Sequence, residues 1–173
     1  MAHRPDHKPR SGGAPSRRTA ARLAAVQALY QLELSDGSAD AVVREFGQHR
    51  LGHEIDGADY GEADRDLFGD LVRNVTADRA ELDRVLGTAL SAEWSVDRLE
   101  TVLRAILRAG AYELSSRRDV PPRVILNEYV DIADAFFSGK ETGLVNGVLD
   151  RLARTLRPDE FEGPKRDPSA TAG

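Results

Sequence analysis

Few residues in this chain have the type and spacing to do covalent or metal chemistry. Cysteine is absent, which removes disulfides, thiolate nucleophiles and thiolate metal sites together. His49 and His53 stand four apart, a spacing that can set two imidazoles on one helix face for zinc. Two ligands are too few, and Glu54 follows the second histidine rather than the first, so a solvated helix end is the better reading. Asp64, Asp66 and Asp70 alternate with Leu67 and Leu71, as the wet side of an amphipathic helix should, and are read as that rather than as magnesium ligands. Asn127 and Glu128 interrupt an apolar stretch and are read as a satisfied polar pair bracing neighbouring chain, not as a general base. There is no phosphate-cradling glycine loop, no nucleophile elbow and no dinucleotide-binding glycine pattern. The expectation is no catalytic residue, no metal and no cofactor.

Arg17, Arg18 and Arg22 point to a different chemistry. They lie at the start of the first helical pattern, with Arg18 and Arg22 at four-residue spacing. Unpaired N–H groups and the positive end of the helix dipole favour phosphate there. Arginine also forks onto phosphate oxygens and stacks on unpaired bases, which suits single-stranded RNA. The charge distribution agrees. Through Arg22 the chain carries six basic residues against Asp6 alone, or +5, while the remainder carries −10, which together make the net −5. A basic arm on an acidic body suits a polyanion at one end and a basic partner at the other.

The elements that must position these residues are helical throughout. One domain's worth of sequence, 173 residues with 40% hydrophobic content, carries apolar stripes of helical period and no sustained alternation. Residues 16 to 35 form the first helix, with Leu23, Val26 and Tyr30 as its stripe and Leu29 widening it, and Asp36-Gly37 stops it. A shorter helix follows over 38–50, and the glycine-bearing stretch Leu51–Gly61 is a loop. Residues 63–90 form either two helices or one long helix bent near Asn74-Val75-Thr76. Ser95 or Asp97 can cap the next helix, whose stripe of Leu99, Val102, Leu103, Ile106, Leu107 and Leu114 is the strongest core signal in the chain. Gly110 on that stripe is tolerated if another backbone packs closely. Pro121-Pro122 ends one helix and begins another, and Ser138–Glu141 turns the chain into a last helix. The expected fold is an all-α, single-domain bundle of six or seven helices over residues 16–157. A basic arm, 1–15, and a tail, 158–173, are expected to be disordered. No secretory signal and no run of about 18 apolar residues is present, so a cytoplasmic protein is expected.

Three stretches together resemble the NusB family of transcription antitermination factors. They are Arg17-Arg18-Thr-Ala-Ala-Arg22-Leu-Ala-Ala-Val-Gln27-Ala-Leu-Tyr30; Ala105-Ile-Leu-Arg108-Ala-Gly-Ala-Tyr112-Glu113-Leu114 leading into Asp119-Val-Pro121; and Asn127-Glu128 followed by Val145-Asn146-Gly147-Val148-Leu149. The resemblance covers residues 17 to about 157 and implies a fold of two small subbundles and a non-enzymatic role. It also implies pairing with NusE, a basic ribosomal small-subunit protein. The pair would bind boxA-type single-stranded RNA of nascent ribosomal RNA transcripts within the RNA polymerase antitermination complex. By position, RNA contacts fall to Arg17, Arg18, Arg22 and Gln27, with the loop at Lys140, and NusE contacts to Leu103 and Arg104 near Tyr30. The chain departs from the family pattern in its sparser arginine cluster, in Leu103 where an acid is common, and in Lys140 where an acid can stand. Two further readings stay open. One is a self-associating helical interaction protein, such as a homodimer through the partner face. The other is the NusB-like module found fused to ribosomal RNA cytosine methyltransferases, here without the catalytic domain.

Overall fold

Alanines carry the buried side of the first helix, and this decides how closely its neighbours approach. In the computed structural model, which describes residues 16–51 and 63–161 and the backbone of a short β-ladder between them, α1 spans Arg17–Leu34. Ala20, Ala21, Ala24, Ala25 and Ala28 are all buried, with Val26 and Leu29 among them. Leu23 is only half-buried, and Tyr30, placed on the stripe by spacing, is 39% exposed. Small side chains let two backbones pack near α1, and α3 and α5 do so.

The remaining helices are α2 (Ala39–His49), α3 (Arg65–Ala77), α4 (Arg79–Ala89), α5 (Thr101–Ser116), α6 (Pro122–Phe136) and α7 (Glu141–Leu156). Their starts are set by local chemistry. Ser16, Ser38 and Asp64 each accept a backbone N–H of the first turn, and Pro122 opens α6 where a missing N–H costs nothing. The stretch 63–90 resolves as two helices. Asp78 ends α3 and begins α4 with φ −97° and ψ 14°, a small departure from helical geometry that needs neither glycine nor proline.

Two expectations are corrected. Neither Ser95 nor Asp97 caps α5: a 3₁₀ turn, Val96–Arg98, intervenes, and α5 begins at Thr101 with no side-chain cap. Within the expected loop, Glu54–Ile55 pairs antiparallel with Ala58–Asp59, a two-residue ladder that leaves the all-α class intact.

Helices α1–α3 pack on one another, α4–α7 do likewise, and α5 joins the two groups by lying against α1 and α3 as well. This is the expected pair of subbundles. The axial role of α5 explains its composition, since an unbroken run from Ala105 to Leu114 is buried. Ile106 is fully enclosed. At Gly110 the methyls of Leu149 from α7 occupy the place of a side chain, and an added Cβ would lie 2.8 Å from the nearer one. The close neighbour is thus a leucine side chain rather than a backbone.

A helix end buried in the core needs partners for its last carbonyls. Here α5 takes them from Arg157, just beyond α7. Its guanidinium donates to the carbonyls of Glu113 (2.9 Å), Leu114 (2.7 Å), Arg117 (2.7 Å) and Val120 (2.6 Å), and its side chain is wholly enclosed. A further 3₁₀ turn, Pro158–Glu160, and Phe161 follow, and Phe161 packs against the core beneath Arg154. The described chain thus runs on to Phe161. The arm 1–15 and the tail from 162 lie outside the described residues.

Glu113 and Arg117 keep backbone N–H donors from Arg117 and Val120, so Arg157→Ala strands the carbonyls of Leu114 and Val120 and should cost about 3 kcal/mol. Urea unfolding followed by circular dichroism measures it. An unchanged midpoint would mean that water reaches the end of α5.

Candidate nucleic-acid and partner interface

A buried polar cluster underlies the first turn of α1. Arg22 points into the core, 1% exposed, and its Nε and Nη2 donate to the two carboxylate oxygens of Glu113 at 2.8 and 2.9 Å. Tyr129 of α6 donates its hydroxyl to Glu113 as well, and Glu128 stands 3.7 Å from Arg22 Nη1. Burial weakens the guanidinium's hold on its proton, but the hydrogen-bonded charge of Glu113 more than offsets this and raises its pKa. Burial, then the adjacent charge of Glu113, pushes the Tyr129 phenol well above its usual value. Phenol and guanidinium thus both keep their protons and both donate to Glu113.

This placement corrects the reading of Arg22 as a phosphate contact. Its four-residue spacing from Arg18 holds along the helix, but Glu113 supplies a countercharge inside the core and the side chain follows it there. Arg17 and Arg18, by contrast, are exposed. They sit at the dipole-positive start of α1, next to the cap Ser16, and the backbone N–H of Asp64 holds the Arg17 carbonyl at 2.9 Å. Gln27 is half-buried on the same helix, about 14 Å along its axis from Arg18 at 1.5 Å rise per residue.

Lys140 is exposed at the α6–α7 turn, with its ammonium 5.3 Å from the ring centroid of Trp94. It rims a cleft of about 310 Å³ whose floor is Trp94, Leu99, Leu103 and Leu144. The structure therefore brings Lys140, expected on RNA, together with Leu103, expected on a protein partner. Leu103 is only 4% exposed and shapes the floor of the cleft rather than projecting from it. Arg104 is drawn inward. It binds Glu33 of α1 and the carbonyls of Asp97 (3.1 Å) and Leu99 (2.8 Å), while Arg108 engages both Glu33 (3.5 Å) and Asp83 (2.7 Å). Of the three expected partner residues, Tyr30 alone stands out from the surface.

The acidic candidates have structural occupations. Asp64 caps α3. Asp70 receives Arg117 (2.6 Å) and the Tyr112 hydroxyl (3.0 Å), and burial with this hydrogen bond raises the Tyr112 pKa to about 12. Glu128 accepts from Thr19 at 2.9 Å, the bracing role its position suggests. His49 is exposed at the end of α2, and His53 lies outside the described residues. Among the described residues no group of three or more His, Asp or Glu side chains could hold a metal ion, and no helix is long and apolar enough to cross a membrane.

Sequence reasoning leaves Trp94 unassigned, and Glu113 too, although it stands in a quoted motif. An acid in the middle of an apolar run demands a countercharge. An arginine set among alanines is the matching signal, and the two together mark the buried pair.

Comparison with known proteins follows the same lines. The NusB family model matches residues 19–154. The transcription antitermination protein NusB of Rhodopseudomonas palustris (strain BisB18) is 49% identical over 158 residues, which span 90% of this chain and 94% of that protein. T. maritima NusB superposes with a TM-score of 0.67 at 28% identity, covering 88% of this chain and 100% of that one. A chain from the crystal structure of antitermination factors NusB and NusE in complex with double-stranded RNA has the same fold, with a TM-score of 0.67 at 24% identity over 80% of this chain and 97% of its own.

Arg22→Ala leaves Glu113 charged and unpaired in the core and is expected to cost about 3–5 kcal/mol. Arg22→Met combined with Glu113→Leu, which removes both charges, should lose far less. Urea denaturation of both variants checks this, and a single variant as stable as the parent would show that Glu113 reaches solvent.

Proposed function

The chain belongs to the NusB family, and from that premise we propose that it is a non-enzymatic transcription antitermination factor that holds boxA-type single-stranded RNA together with NusE. The observation that carries the RNA reading is the pair Arg17–Arg18, exposed on a turn whose backbone is fixed and whose dipole is positive. Phosphate binding at this turn sets the register of the strand. Bases are then read by groups of fixed geometry, Gln27 on α1 and Lys140 at the rim of the Trp94 cleft. NusE, being basic, meets the acidic body, with Tyr30 as the projecting contact and the face shaped by Leu103 and Arg104 around it. In this reading the protein works in the cytoplasm, within the RNA polymerase antitermination complex. Self-association through the same face competes with NusE.

With Arg22 assigned to the core, the RNA site is tested by Arg17→Ala and Arg18→Ala together. For a single strand, each phosphate left without its arginine lowers the log–log salt slope by about 0.7, so the pair lowers it by about 1.4. Fluorescence anisotropy with boxA RNA at several salt concentrations, NusE present, reads this out. An unchanged slope and affinity would remove the arginine turn from the RNA site.

NusE itself should bind tightly, with salt slowing association more than it speeds dissociation if charge steers the encounter. Titration calorimetry without heat, joined to an unchanged gel-filtration volume, would take NusE out of the account.

A further inference from the structure

The turn that carries Arg17 and Arg18 is anchored by a chain of hydroxyls ending on a carboxylate of another helix. Ser16 Oγ accepts the backbone N–H of Thr19 at 3.0 Å and lies 2.7 Å from Thr19 Oγ1. Thr19 Oγ1 lies 2.9 Å from Glu128 Oε1 on α6. A hydroxyl has one proton. The carboxylate can only accept, so Thr19 donates to Glu128 and Ser16 therefore donates to Thr19. The direction of every bond in the chain is fixed, and each bond polarises the next.

The cap of α1 is thus tethered through Thr19 to Glu128, while the Asp64 N–H holds the Arg17 carbonyl. Glu128 is the odd member of this neighbourhood. Glu113 already takes two donors of Arg22, so Glu128 leaves the cluster with two carboxylates against one guanidinium. Its side chain is 21% exposed, beneath a turn proposed to bind a polyanion. A negative charge in that place weakens phosphate binding, so its contribution has to come from geometry.

We propose that Glu128, acting through Thr19, is a positioning residue for RNA: it fixes the register in which Arg17 and Arg18 present phosphate to the rest of the site, and thereby sets sequence preference rather than affinity. The inference rests on the RNA reading given above. Loose arginines still neutralise phosphates, and any RNA satisfies them. Arginines held at one angle hold the strand so that its bases meet Gln27 and Lys140 in a single register.

The test uses the full chain with NusE and compares boxA RNA with a scrambled sequence by fluorescence anisotropy, at several salt concentrations. Glu128→Ala removes tether and charge, Thr19→Val removes the tether alone, and Glu128→Gln keeps an acceptor for Thr19 while removing the charge. Glu128→Ala and Thr19→Val are expected to lower the boxA-to-scrambled preference by about fivefold, the loss of one hydrogen bond, at unchanged salt slope. Glu128→Gln is expected to restore the preference while raising affinity for both RNAs alike. Thermal melting of each variant separates this from loss of fold, because Arg22 and Glu113 remain paired in all three. A parental preference that persists in Glu128→Ala and Thr19→Val, or a Glu128→Gln variant no better than alanine, overturns the positioning role alone. A parent with no boxA preference overturns the RNA reading and this inference with it.

Discussion

The fold turns on one buried ion pair. Arg22 and Glu113 face each other across the contact of α1 and α5, with Tyr129 closing the cluster from α6. Neither charge tolerates the core alone, and each removes the other's cost only in one geometry. That geometry specifies which helices meet and how far along each other they lie. The alanines of α1 and the glycine of α5 supply closeness but no register, because small apolar surfaces slide. The pair supplies the register, and the turn bearing Arg17 and Arg18 lies barely more than one helical turn from it. Rigidity at the proposed RNA surface is therefore inherited from the core, where it is costly to disturb.

A second set of charges joins the other end of the same two helices. Glu33 near the end of α1 is met by Arg104 and Arg108 of α5, and Arg108 also reaches Asp83 of α4. The antiparallel contact of α1 and α5 is thus pinned at both ends by arginine and glutamate of opposite assignment, Arg22 on α1 with Glu113 on α5 and Glu33 on α1 with Arg104 on α5. Such crossed pairs disfavour both a slipped and a reversed packing. They also hold Arg104 in the interior, which leaves Tyr30 and the Trp94 cleft to give the proposed partner face its shape.

Helix number, order and most boundaries are legible in the sequence because their determinants are local. Ser16, Ser38 and Asp64 cap, Pro122 starts a helix, and Gly37 with Asp36 stops one. The boundary at Asp78 is not, since a break made by one mildly non-helical residue leaves no compositional trace. The core side of α1 is hidden for a related reason: alanine is common on every helix face, so a stripe search follows leucine and valine and arrives at Tyr30. Arg22 is misread because residue type argues for the surface, and only a tertiary partner argues otherwise. Arg157 is invisible in principle, as its partners are backbone carbonyls that carry no side-chain signature. The convergence of Lys140 with Leu103 on one cleft depends on how α7 returns past the start of α5, a fact about packing rather than pattern.

The position of Arg157 has a consequence for how the molecule is made. The carbonyls of Leu114 and Val120, at and just past the end of α5, find their donor in a residue 43 and 37 positions further along the chain. A ribosome delivers the chain from its N-terminus, and elements fold as they emerge. Helices α1 to α5 can meet while synthesis continues, and Arg22 can find Glu113. The end of α5 must stay open to water until α7 has left the exit tunnel with Arg157 behind it. The nascent protein thus carries an unsealed seam until Arg157 emerges, and closing it waits on a residue that follows the last helix and not on the axis of the fold.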